Sequence, residues 1–251
     1  MLVDEQYQRN VGYVVADYLD ESTGISSPWR IGTFFIVEQR VGRHNDLGVV
    51  QYAVTCRHIL EEVRDDHHYG AISLRINNRH LRAEDFPCDI DTWVLSDTTD
   101  LPVALIDLPP KFLYWPYPMA RPLSVQRILP GHPVFIIGLF SLLPGFGSVD
   151  AVVRHGTIAR FSQRVPIRIN PHSDATTDVR AYLIESMSWG GESGSPVFVY
   201  DEHMRVSNPG ALYETSGGLY EIESLQKNDI TASEVSPWLL GVLHGDYRMP
   251  V

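Results

Sequence analysis

Cysteine is nearly absent: Cys56 and Cys88 are the only two in 251 residues. A secreted protein of this type usually carries several disulfides, and two cysteines permit at most one. The opening residues, Met-Leu-Val-Asp-Glu-Gln-Tyr-Gln-Arg-Asn, have neither the basic start nor the apolar segment of a secretory signal. No run approaches the roughly 18 consecutive apolar residues of a membrane span. The expectation is a cytoplasmic protein in a reducing compartment. Lysine is equally scarce, with only Lys111 and Lys227, so the positive charge is nearly all arginine. A net charge of -11 argues against nucleic acid and against an anionic membrane surface as partners. No long amphipathic helical pattern occurs, and no short-period repeat.

What the chain does have is β pattern. Hydrophobic content of 44% and charged content of 20% are those of a globular protein with a substantial core. Short runs rich in β-branched and aromatic residues lie at Val11–Asp17, Arg30–Gln39, Val49–Thr55, Ala71–Ile76, Ile90–Leu95 and Val103–Ile106. Others lie at Pro133–Gly138, Ala151–Phe161, Val165–Ile169, Arg180–Ile184, Val197–Tyr200 and Trp238–His244. Ser22 to Ser27 is turn-rich, and Glu61 to Arg64 can extend one helical turn. Pro109 to Pro122 is rich in proline and aromatics, which suits a connector and neither helix nor sheet interior. Glu202 to Pro237 reads as a long insertion loop with one hairpin. Many short strands at near-regular spacing predict an all-β sandwich or barrel.

The chemistry centres on Gly191-Glu192-Ser193-Gly194-Ser195-Pro196. Glycines permit a tight turn that holds a serine hydroxyl outward and aims backbone N–H groups at one point. Acyl transfer needs such a nucleophile beside donors for an oxyanion. His58 stands where the Val49–Thr55 strand ends. Asp100 precedes the apolar run Leu101-Pro102-Val103, where an acid can be partly buried and accept from an imidazole. Alone, each is more simply a loop serine, a structural histidine and a turn aspartate. Together they occur in the order His, Asp, Ser.

In Thr55-Cys56-Arg57-His58-Ile59, Asp100-Leu101-Pro102-Val103 and Gly191 to Pro196, with intervals of 42 and 93 residues, the chain resembles the trypsin/chymotrypsin-like serine proteases. Ile31 to Val37, Val134 to Gly138 and Leu240 to Gly245 are similar to supporting strands of that family. The resemblance implies two packed six-stranded antiparallel β-barrels, residues 1–115 carrying His58 and Asp100 and residues 116–251 carrying Ser193. It implies a serine endopeptidase in which His58 is the base, Asp100 orients it, and the N–H groups of Gly191 and Ser193 bind the oxyanion, with no cofactor or metal. Met187 and His244 fall near the family's primary specificity pocket, where the absence of an acid argues against a preference for Lys or Arg. Glu192 stands where secreted members pair an aspartate with a newly cut N-terminus, and no Ile-Val-Gly-Gly-like start is present. The chain therefore looks more like the intracellular bacterial branch. That branch implies a protein or peptide substrate and a regulatory or sensor domain or partner, as in defence systems. The chain ends soon after Trp238–His244, where the family continues with another strand, so the expectation is either a piece of a longer protein with its second barrel incomplete or a second barrel completed in an unusual way.

Other readings compete. Gly191-Glu192-Ser193-Gly194-Ser195 nearly fits the elbow of an α/β-hydrolase, but Pro196-Val197-Phe198-Val199 reads as strand where that elbow needs a helix. His67, His68 and His80 lie near Asp65 and Asp66, in a solvated segment whose spacing matches no compact zinc pattern. A non-catalytic protease-like module that holds a peptide is the main alternative function.

Overall fold

The computed structural model describes residues 3, 5–41, 48–95, 102–118, 128–140, 147–167, 176–187, 192–199, 213–215, 218–220 and 238–244. In chain order, a short helix α1 (Glu5–Gln8) leads into β1 (Val11–Asp20), β2 (Ile25–Val41) and β3 (Gly48–Val54). Helix α2 (Arg57–Asp65) follows, then β4 (Tyr69–Asn77), β5 (Ala83–Cys88), β6 (Trp93–Val94), β7 (Val103–Leu105) and β8 (Tyr117–Pro118). The second half contributes β9 (Pro133–Leu139), β10 (Ala151–Ile167), β11 (Thr177–Ser186) and β12 (Pro196–Val199). A small hairpin of β13 (Tyr213–Thr215) and β14 (Gly218–Tyr220) precedes β15 (Trp238–Val242). The fold is all-β, with two main antiparallel sheets. The first runs β5-β4-β1-β2-β3-β7-β6, with β8 added alongside β2, and the second runs β11-β10-β9-β12-β15. The described sheets thus hold eight and five strands, where the family resemblance implies six in each of two barrels.

Strand alternation explains why these two sheets belong together. Successive side chains of a strand point to opposite faces. In β1 and β2, Val14, Ala16, Phe34 and Ile36 face one core, with Ala53, Ile72, Leu74, Ile76 and Ala104 of the same sheet. Their neighbours Val11, Tyr13, Val15, Phe35 and Val37 face the other way, onto Phe135, Ile137, Leu139 and Phe198 of the second sheet. The second sheet repeats the arrangement: Val134, Ile136, Val197 and Val199 turn inward to a third cluster with Ile158. Strands β1, β2, β9 and β12 are buried on both faces, which is why they read as nearly unbroken apolar runs.

Several local expectations are corrected. Residues 90–95 are not one strand. The Asp89 side chain accepts from the Asp91 N–H, and a single 3-10 turn, Ile90–Thr92, precedes the two-residue β6. The turn at Ser22 to Ser27 is shorter than expected, because β2 begins at Ile25. Ala151–Phe161 and Val165–Ile169 join in one long β10, and the polar interruption between them coincides with register shifts against β11 from Ile158 to Gln163. Strand β5, Ala-Glu-Asp-Phe-Pro-Cys, was not legible as a strand. It is a sheet edge, where proline and charge are tolerated. Most of the 202–237 insertion lies outside the described residues, apart from the one hairpin.

Candidate active site

The Ser193 turn is held by hydrogen bonds to two other segments, β2 and the residue after β15, and by one bond of its own. The Thr33 N–H of β2 donates to the Ser193 carbonyl at 2.8 Å. The Gly194 N–H donates to the Leu243 carbonyl at 2.9 Å, and the Leu243 N–H returns to the Ser195 carbonyl at 2.8 Å. The Ser195 N–H closes the turn on the Glu192 carbonyl at 3.0 Å. Gly194 has φ +91°, and a Cβ there would stand 1.9 Å from the Thr33 carbonyl oxygen. Only glycine fits both the dihedral and the approach. Below the turn, a Cβ at Gly138 of β9 would meet Ser195 Oγ at 2.9 Å and Glu192 Cγ at 3.4 Å.

His58 lies in the first turn of α2, earlier than the helical extension expected at Glu61 to Arg64. The helix packs Ile59, Leu60 and Val63 into the first core, which fixes its start. Cys56 at the N-cap makes no side-chain cap; its thiol donates instead to the Leu243 carbonyl at 3.1 Å. His244 follows Leu243, and its ring meets the His58 ring edge-on, with centroids 4.6 Å apart at 74°. The Ser193 hydroxyl donates to the His244 backbone carbonyl at 3.0 Å. His58 on α2 and Ser193 in the turn before β12 therefore both border His244. Asp100 and Gly191 lie outside the described residues.

Two features were not anticipated. Glu192, 2% exposed, pairs with Arg154 of β10, whose Nε is 2.6 Å from Oε1. A second nitrogen of Arg154 donates to the Met187 carbonyl at 3.0 Å. Met187 is 71% exposed and lines an open pocket with Val152, Arg154 and His155. Arg154 thus couples the Met187 region to the residue before Ser193. The only advance signal was Glu192 itself, an acid in a glycine-rich turn that requires a cation when buried.

The surface histidine group differs from its sequence reading. His67 and His68 gather with Glu21, not with His80. His68 Nδ1 lies 2.5 Å from Asp66 Oδ1, and this contact raises the His68 pKa; that of Asp66 is lowered chiefly by the His68 backbone N–H, which donates to Oδ1 at 2.9 Å, and then by the ring.

No protein-family model matches the chain, and no curated protein matches it. Among solved structures, it is similar to the MamO protease domain from Magnetospirillum magneticum, at 15% identity and TM-score 0.45, over 77% of this chain and 80% of that one. It is also similar to a mutant, inactive form of Rv3671c from M. tuberculosis, at 14% identity and TM-score 0.41, over 77% and 73% of the two chains. A third is the thermostable serine protease AL20 from an extremophilic microorganism, at 12% identity and TM-score 0.37, over 77% and 84%. Among the described residues, no helix is long and apolar enough to cross a membrane.

Proposed function

We propose that the chain is a serine endopeptidase whose nucleophile is Ser193 and whose general base is His58. The observation that supports this reading is that both residues, one on α2 and one in the turn before β12, contact His244: Ser193 its backbone carbonyl and His58 its ring. Asp100 is assigned as the acid that orients His58 and stabilises its cationic form. In the reaction, His58 takes the hydroxyl proton as Ser193 Oγ attacks a peptide carbonyl. The tetrahedral oxyanion is held by the Gly191 and Ser193 N–H groups. His58 then protonates the leaving amine, and water hydrolyses the acyl-enzyme by the reverse sequence. The substrate is a protein or peptide, with Met187 and His244 beside its primary side chain. Cytoplasmic placement and control by a sensor domain or partner, as in a bacterial defence system, belong to the same proposal.

One observation favours a second reading. The Ser193 hydroxyl proton is directed at the His244 carbonyl, a geometry suited to a module that holds a peptide without cutting it. A fluorophosphonate probe separates the two. Labelling that disappears in Ser193→Ala and falls at least about a hundredfold in His58→Ala, the low end for loss of a catalytic base, supports the hydrolase. A folded parent that takes no label overturns it.

A further inference from the structure

Cys56, His58 and His244 place one sulfur and two imidazoles together, with ligand atoms all within 4.8 Å of one another. The proposed hydrolysis uses the His58 side chain as its acid–base group and sets His244 beside the substrate, but it gives the Cys56 thiol between them and the core no chemical role. We propose that Cys56, His58 and His244 form a zinc site of three protein ligands with a fourth position open to solvent.

The donor set favours Zn2+, which is bound in proteins by thiolate and imidazole and is commonly tetrahedral. Typical Zn–S and Zn–N lengths put the donor atoms of such a tetrahedron about 3.3–3.6 Å apart. Atoms already inside 4.8 Å reach that spacing by side-chain rotation. Cys56 is buried while His58 and His244 are half-buried, so the trio lies at the margin of the core and is not sealed within it. Cys56 also sits at the N-cap of the nine-residue helix α2, where the helix dipole favours a thiolate. Binding releases the thiol proton to solvent. The Leu243 carbonyl then loses the Cys56 donor but keeps the Gly194 N–H at 2.9 Å, so no buried acceptor is orphaned.

Zinc binding itself does not depend on hydrolysis; its consequence for activity rests on the proposed endopeptidase reading. A His58 nitrogen bound to metal cannot accept the Ser193 proton. Zinc occupancy and peptide cleavage therefore exclude each other, and the metal acts as a reversible brake.

The test uses the whole chain, stripped of metal and reduced with a phosphine, and titrated with Co2+. One equivalent should produce a thiolate-to-cobalt charge-transfer band in the near ultraviolet together with the strong visible bands of four-coordinate cobalt. Zn2+ should bleach both. Cys56→Ser should remove the charge-transfer band, and both Cys56→Ser and His244→Gln should weaken Co2+ binding at least tenfold, with folding checked by circular dichroism. A missing band, or one that survives Cys56→Ser, overturns the site. Should Cys56→Ser fail to fold, Co2+ binding unchanged in His244→Gln overturns it as well. Fluorophosphonate labelling of the parent with and without Zn2+ separates the two proposals. Bands with Zn2+-suppressed labelling support both, bands without labelling under metal-free conditions keep the site and remove the hydrolase, and labelling indifferent to bound Zn2+ removes the brake.

Discussion

Glu192 and Arg154 form the most deeply buried ion pair among the described residues, with side chains 2% and 11% exposed and 2.6 Å between Oε1 and Nε. The pair joins the residue before Ser193 to β10 and, through the Met187 carbonyl, to the end of β11. Removing one partner of a buried pair leaves an uncompensated charge, which costs about 3–5 kcal/mol. Arg154→Met should therefore lower stability by about that amount in urea titration and abolish fluorophosphonate labelling. Arg154→Lys should recover only part of both, because one ammonium cannot reproduce the two directed contacts of the guanidinium.

Gly194 gives a sharper result. Its φ of +91° and the 1.9 Å approach to the Thr33 oxygen leave no room for a methyl group. Gly194→Ala should destabilise the chain by roughly 3 kcal/mol or more, measured by chemical denaturation. Labelling of the surviving folded fraction should also be lost, because the turn that aims Ser193 must move.

Phe198 tests the layer between the sheets. It stacks on Phe135 at 4.9 Å and meets Tyr117 and Tyr7 edge-on at 4.8 and 5.5 Å. Phe198→Ala should cost about 3–5 kcal/mol, read as a lower denaturation midpoint with an unchanged slope.

Asp66 and His68 predict a pH dependence. The folded His68 pKa is raised, chiefly by its hydrogen bond to Asp66. Its stabilisation is complete below the unfolded histidine value of about 6.5 and is lost as pH rises through the folded value. The folded Asp66 pKa is lowered, chiefly by hydrogen bonds from the His68 backbone and ring. Its contribution is present above the unfolded aspartate value of about 3.9 and lost as pH falls through the folded one. The pair should thus stabilise most between about pH 4 and 6.5. NMR titration should place the His68 midpoint above the ordinary value, returning toward it in Asp66→Asn.

The double-faced strands were the most legible part of the chain. Runs such as Phe-Phe-Ile-Val and Val-Phe-Ile-Ile are apolar at every position because each face meets a different core. Edge strand β5 was hidden, since an edge with one exposed face carries no such run. The glycine turn around Ser193 was legible because the positive φ at Gly194 demands its residue type. The Cys56–His58–His244 group was not, because Cys56 and His244 lie 188 residues apart in the chain and come together only where the Cys56 thiol meets the Leu243 carbonyl just past β15. Arg154 was equally hidden: nothing in the β10 pattern distinguishes it from an outward-facing arginine. The expected acid Asp100 and the expected oxyanion donor Gly191 fall outside the described residues.

The hydrogen bond from Thr33 to the Ser193 carbonyl has a mechanical consequence. The turn bearing the serine is fastened to the opposite sheet, the same one that supplies α2 and its histidine. Neither sheet carries the finished turn alone, so expressing the segments that form the two sheets as separate chains should yield two pieces without a formed Ser193 turn. Thr33 makes assembly of the halves a precondition of the site.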